Sequence, residues 1–294
     1  MKRLLIFLGL CLLFTACSSE SEETAFADQA LAPVTVCVNG FSMSQEDFSG
    51  TRTDPVAVAS YSNVKVITLA FYDGTDEVYK ATQTRENMPE GATFGNFSLN
   101  LPMGSYTMVV LGYALYDDDV LTLTSPTQAE YTAGCVRETF GATQTVNITT
   151  TSAVSLSATL NRQVARLWVV STDARTSNAS KVRMTFSAGG KAFNPTTGYA
   201  TDNSGVVATV NISAAVGATS GSVAHVFLTS DEQNINVTID VLNGEGTSIS
   251  QRIITGVPFK RNRVTKLTGS LYTASSSSSF LLDTDWLTQE NIDF

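Results

Sequence analysis

Val34-Thr35-Val36-Cys37-Val38-Asn39-Gly40-Phe41 alternates apolar and polar side chains along its length. In an extended chain, Val34, Val36 and Val38 fall on one face and Thr35, Cys37 and Asn39 on the other. That period of two is the signature of a half-buried β-strand. The same texture recurs downstream. Phe97, Leu99 and Leu101 alternate with Ser98 and Asn100, and Ala165, Leu167 and Val169 alternate in turn. Val182, Met184 and Phe186 alternate with Arg183, Thr185 and Ser187, and Ile235, Val237, Ile239 and Val241 with Asn236, Thr238 and Asp240. Val64 to Tyr72 is apolar on both sides and reads as a central strand. Ser105 to Leu115, Val120 to Leu123, Thr143 to Thr150, Thr247 to Val257 and Val264 to Tyr272 read as further strands. Asp73-Gly74, Pro102-Met103-Gly104 and Asn243-Gly244 are turn signals between them. No window sustains a 3.6-residue period. Many short strands separated by turns predict an all-β protein built from sandwiches.

The chain has 294 residues, a formal net charge of −9 and 43% hydrophobic residues. That length predicts two domains of ordinary size. Thr149-Thr150-Thr151-Ser152 is the least apolar stretch between two strand-rich halves. It sets the expected domains at 33–152 and 153–294. Ser275 to Ser279 forms a linker, and Phe280 to Phe294 a β-prone tail. With no basic patch, nucleic acid is excluded as a partner.

Residues 1–16 have the form of a signal peptide. Lys2 and Arg3 precede an apolar run from Leu4 to Phe14, with Thr15-Ala16 before Cys17. The run is too short to span a bilayer as a helix. Leu13-Phe14-Thr15-Ala16-Cys17 resembles the lipobox of bacterial lipoproteins, with Phe14 where Leu, Val or Ile is preferred. The resemblance implies cleavage between Ala16 and Cys17, a diacylglycerol on the Cys17 sulfur and an acylated N-terminus. The alternative is an ordinary signal peptide cut nearby that leaves a free thiol. Residues 17–32 read as a flexible tether. Its acidic Ser18–Glu23 start is similar to the export signal of Bacteroidetes surface lipoproteins, implying display on the outer face of the outer membrane. Of the remaining cysteines, Cys37 and Cys135 are expected to be two buried free thiols, with a disulfide as the alternative.

Sites of chemistry are sparse. His225, the one histidine, lies inside a strand and reads as structural, so no Ser-His-Asp arrangement is supported. There is no His-based zinc motif, phosphate loop or dinucleotide fingerprint. Asp117-Asp118-Asp119 lacks the calcium-loop pattern and reads as an exposed turn. Neither an enzyme, a metal nor a cofactor is expected.

Three further motifs carry a resemblance. Leu160-Asn161-Arg162-Gln163-Val164-Ala165-Arg166-Leu167-Trp168-Val169 and Val257-Pro258-Phe259-Lys260-Arg261-Asn262-Arg263-Val264-Thr265-Lys266-Leu267-Thr268-Gly269 bracket the second half. Leu101-Pro102-Met103-Gly104-Ser105-Tyr106 lies in the first. Their order and spacing resemble the fimbrillin superfamily of Bacteroidetes type V pili. The resemblance implies two tandem transthyretin-like β-sandwich domains and an assembly mechanism. An Arg-specific maturation protease removes the N-terminal strand, and a neighbouring subunit's strand fills the vacated groove. Here the removable strand would carry Val34, Val36, Val38 and Phe41. Cleavage would fall at Arg52-Thr53, although Arg85 is set in a similar loop. The donor tail would present Phe280, Leu282 and Trp286; the alternative is a tail that folds back on its own domain, as a terminal subunit's would. Four buried side chains at roughly 1.5–3 kcal/mol each leave on the order of 6–12 kcal/mol for the incoming strand to recover. The implied partners are other fimbrial subunits, the outer membrane through lipid, the protease, and a host or microbial surface receptor. Lipid-anchored terminal subunits, at anchor or tip, share the resemblance. A surface glycan-binding lipoprotein on the same sandwiches is the alternative of another class.

Overall fold

The computed structural model describes residues 29–43, 55–116, 119–132, 135–273 and 280–283. Ala16, Cys17, Arg52, Thr53, Trp286, Asp117, Asp118 and the serines of 275–279 lie outside these residues. The strands of the first half are β1 (Leu31–Ser42), β2 (Val56–Ala57), β3 (Val66–Asp73), β4 (Asp76–Thr84), β5 (Asn96–Pro102) and β6 (Gly104–Tyr113). They are followed by β7 (Leu121–Ser125), β8 (Gln128–Tyr131), β9 (Thr139–Ile148) and β10 (Val154–Arg162). The second half comprises β11 (Ala165–Ser171), β12 (Lys181–Phe186), β13 (Ala192–Phe193), β14 (Val206–Asn211) and β15 (Gly221–Val226). It closes with β16 (Glu232–Leu242), β17 (Ser248–Lys260), β18 (Val264–Gly269) and β19 (Leu281–Asp283). Helix among the described residues is limited to single 3-10 turns at Val58–Ser60 and Arg85–Asn87.

An eight-stranded sheet runs β2-β1-β10-β9-β6-β3-β4, with β5 also paired to β1. β9 and β10 pair only at Gly141–Asn161 and Phe140–Arg162. At that corner the sheet turns back on itself. The inward side chains of β1, β5 and β10 share one core with those of β3, β6 and β9, including Phe41, Leu99, Leu160, Leu69, Met108 and Phe140. The alternation of β1 holds through Val38, with Val34 and Val36 1% exposed and Val38 4%, and beyond an irregularity Gly40 and Phe41 are both buried, Phe41 at 0%.

Two four-stranded sheets, β15-β11-β18-β19 and β14-β12-β16-β17, form the second sandwich. A short sheet, β13-β8-β7, takes strands from both halves. The stacked rings of Phe193 and Phe227, 4.2 Å apart, and of Tyr131 and Phe227, 6.4 Å apart, continue the second core into the first half. The halves therefore share apolar core rather than hanging on a free linker.

Several expectations are corrected. The sheet changes at Gln163-Val164, not at 152/153, because β10 pairs in parallel with β1 and belongs to the first sheet. The polar Thr149–Ser152 stretch is only the connection between β9 and β10. β4 gives no apolar alternation because it is a solvated edge strand. At the β16–β17 turn, Asn243 does act as a turn former, its Oδ1 accepting from the amides of Glu245 and Thr247. The left-handed position there is Gly246, at φ +84°, rather than Gly244.

Cys37 and Cys135 are both free, but they are not buried. Cys37 takes an outward position in the β1 alternation and is exposed, and Cys135 is half-buried. Asp119 is not in an exposed turn. It is buried, accepts from the Cys135 amide at 2.7 Å and pairs with Arg137. Arg85 is not a free loop residue either. It is half-buried, donates to the carbonyls of Val64, Val58 and Tyr61, and lies 4.2 Å from the Phe94 ring.

Candidate functional site

β1 is the most enclosed of the predicted site elements. β10 runs parallel along one side of it, from Val34–Val154 to Ser42–Asn161, with one irregularity between Val38 and Gly40. On the other side, β5 pairs antiparallel over Leu31–Cys37 and β2 over Gly40–Phe41. Both backbone edges are thus bonded, and one face is apolar. Phe41 anchors the far end, its ring 5.0 Å from Phe140 and 5.6 Å from Tyr61. The four residues predicted for the removable strand, Val34, Val36, Val38 and Phe41, line up on the core side of this one strand. Arg52 and Thr53 fall in the chain between β1 and β2, outside the described residues.

Of the two positions open to the tail, its described part, residues 280–283, takes the folded-back one. β19 pairs antiparallel with β18 of its own domain, with Leu282 opposite Leu267. Phe280 packs against the second core beside Gly269. The hold is shallow: Leu281 is 72% exposed and Leu282 39%. Just upstream the chain is clamped. Asp173 accepts from the amides of Leu271, Tyr272 and Thr273 and from Ser270 Oγ. Partial burial pushes the Asp173 carboxyl up, but these hydrogen bonds outweigh it and hold the pKa down at about 2. Tyr272 and Ser220 hydroxyls bond on the other side of the clamp.

The motifs behind the resemblance have physical roles. Tyr106 folds back over Gly104 and donates to the Pro102 carbonyl at 3.0 Å. A Cβ at residue 104 would stand 2.8 Å from the Tyr106 hydroxyl, so any other residue there would push the tyrosine ring aside. The two motifs of the second half interlock. β11 and β18 pair in parallel, the Arg166 amide donates to the Arg263 carbonyl, and the Asn262 amide to the Val164 carbonyl. Asn262 accomplishes the turn with φ +63°.

Sequence reasoning did not foresee the polar cluster where these motifs meet the first sandwich. Glu138 lies 2.6 Å from the Arg162 guanidinium and accepts from the Tyr61 hydroxyl at 2.6 Å. Arg166 is buried beside it, directly across the β11–β15 pair from His225. Burial pushes the His225 pKa well below its ordinary value, and Arg166, Arg162 and Arg137 add to the effect. The signal available was the apolar setting of Arg162 and Arg166, which places charges at positions a core would claim. A separate cleft of about 630 Å³ opens where β9 and β10 diverge. It is lined by polar residues such as Gln144, Ser157 and Arg261, without an aromatic ring. Among the described residues, no group of His, Cys, Asp and Glu could hold a metal, and no helix is long and apolar enough to cross a membrane.

The fold has counterparts among solved structures. A candidate cell adhesion protein from Bacteroides ovatus matches with a TM-score of 0.50 at 13% identity, over 89% of this chain and 100% of that one. A candidate adhesin from the same species gives 0.49 at 11% identity, over 83% and 88%. The fimbrial anchor protein Mfa2 from Porphyromonas gingivalis gives 0.46 at 12% identity, over 86% and 95%. At such identities the likeness is one of fold. No curated protein matches the sequence. A family model covers residues 41–293, and the chain belongs to that family, the Family of unknown function (DUF6562).

Proposed function

We propose that this protein is a structural subunit of a cell-surface fimbria of the type V kind, supporting cell adhesion rather than catalysis. It is exported as a lipoprotein through Cys17 and assembled by strand exchange. The setting of β1 is the observation that carries this reading. A terminal strand bonded along both edges, with Val34, Val36, Val38 and Phe41 buried, is separable from the rest by one cut at Arg52-Thr53. Its departure would leave the edges of β10 and β5 unpaired around an apolar slot. Backbone hydrogen bonds and alternate side chains would then let an incoming strand bind in register. An unfilled slot of this kind is aggregation-prone, so release and refilling belong together. The shared fold with the Bacteroides ovatus candidate adhesion protein supports the reading. The partners are neighbouring subunits, an Arg-specific protease, the outer membrane through lipid, and a surface receptor.

The mature N-terminus, read by mass spectrometry on protein from the cell surface, tests this. A start at Thr53, with polymers forming after treatment with an Arg-specific protease, is the expected outcome. Protease-treated protein that stays monomeric at high concentration overturns it. A second reading, a lipid-anchored terminal subunit, is favoured by the pairing of β19 with its own β18. It predicts an acylated Cys17 in the assembled protein.

A further inference from the structure

The cleft of about 630 Å³ between β9 and β10 is an unfinished margin of the first sandwich. The two strands pair at Phe140–Arg162 and Gly141–Asn161 and then diverge. Beyond that corner β6 holds one side of β9, and β1 holds one side of β10. Among the described residues, no strand takes the other side of either. At the corner the Gln163 amide donates to the Thr139 carbonyl. Alternate residues of an antiparallel strand turn their backbone groups to the same side. Thr143 and Thr145 on β9, and Ser157 and Thr159 on β10, therefore direct theirs into the gap. Ala142, Val154 and Leu156 pack against the first core but are only half-buried. Open strand edges beside incompletely covered apolar side chains are the setting for an added strand.

We propose that residues 284–294 of the same chain fill this gap as a strand antiparallel to β10. The inference concerns the single chain and does not rest on strand exchange.

Direction is the first argument. β19 runs antiparallel to β18, with Leu281 opposite Thr268 and Asp283 opposite Lys266. Two more residues in that register would bring the chain level with Val264, next to the turn at 260–263. That turn lines the corner end of the gap. A chain entering there runs along β10 from Asn161 toward Val154, which is the antiparallel sense. Reach is the second argument. Residues 286–294 span about 30 Å when extended, and the open edge of β10 from Val154 to Thr159 needs about 20 Å. Pattern is the third. Ile292 and Phe294 alternate with Asn291 and Asp293. On an extended chain that sets two apolar side chains on one face and two polar ones on the other. They would arrive at the far end of the gap, where Val154 and Leu156 are half-covered. The tail of a second molecule would have to be captured from solution, whereas this one is already tethered beside the entrance, which raises its effective concentration.

Hydrogen exchange followed by NMR on the full chain tests the proposal. The amides of Thr143, Thr145, Ser157 and Thr159 should be protected. Deleting 284–294 should speed their exchange at least tenfold, and a synthetic peptide of that sequence should restore the protection. Ile292→Asp combined with Phe294→Asp should act like the deletion while leaving β19 in place, and circular dichroism would verify that both variants are folded. Exchange rates unchanged by the deletion overturn the proposal. The source of the strand is read by oxidation of Ser157→Cys paired with Gln289→Cys or Asn291→Cys, in a Cys37→Ser, Cys135→Ser background. A crosslink within the monomer is the expected result. Disulfide-linked dimers in its place would assign the gap to a neighbour's tail and overturn the same-chain occupant.

Discussion

Glu138 and Arg162 lie 2.6 Å apart with their side chains almost wholly removed from water, at 7% and 1% exposure. Arg162 ends β10, and the two residues after it carry the chain into the second sandwich. The ion pair therefore sits at the point where the sheets change. Tyr61 completes it, and burial, joined by proximity to the carboxylate, raises the tyrosine pKa to about 12.

Removing one partner of this pair leaves the other charge buried without its counter-ion. Arg162→Ala and Glu138→Ala should each lower stability by about 3–5 kcal/mol. The double variant should lose less than the sum of the two. Urea unfolding of the three variants measures the coupling.

The two faces of β1 should respond oppositely. Val36→Ala removes buried methyl groups and should cost about 2 kcal/mol. Cys37→Ser, one residue along on the exposed face, should stay within about 0.5 kcal/mol of the parent. Thermal unfolding compares them. Equal effects would mean that β1 is not seated as the sheet requires.

Gly104→Ala pushes a methyl group into the Tyr106 hydroxyl and should cost about 1–3 kcal/mol. Tyr106→Phe loses only the bond to the Pro102 carbonyl and should cost about 1 kcal/mol. If Gly104→Ala in a Tyr106→Phe background costs as much as in the parent, the clash with the hydroxyl is not its cause.

Asp173 predicts a specific acid sensitivity. Its folded pKa, about 2, lies below the ordinary aspartate value of 3.8. A depressed carboxylate pKa contributes stability that is complete above the unfolded value and is lost as pH falls through the folded one. The segment Ser270–Thr273 should therefore loosen between about pH 4 and pH 2. Asp173→Asn should weaken the clamp at neutral pH and flatten that dependence. Hydrogen exchange at the Leu271 and Tyr272 amides reports both.

Legibility followed the range of the interaction. The strands around Val34, Phe97, Val182 and Ile235 were readable because alternation is a local property of one extended segment. β4, β8, β10 and β14 were among the strands not read from the pattern: β4 is an edge strand with no fully buried residue, and β14 carries an exposed Val207 at an outward position. Of the assembly elements, the apolar face of β1 was legible. The shallow return of β19 onto β18 was not, because Leu281 and Leu282 read alike in a free or a docked tail.

The sequence by itself determined that this protein is all-β, where most of its strands lie, and which side of each faces inward. Side-chain alternation needs no knowledge of neighbours. Only the tertiary structure decided who those neighbours are. β1 takes β10 as its parallel partner from more than a hundred residues away. That pairing moves the boundary from 152/153 to Gln163-Val164 and brings Arg162, Glu138, Arg166 and His225 to one junction. Pairing depends on the summed burial and hydrogen bonding of distant segments, which no single window of sequence contains.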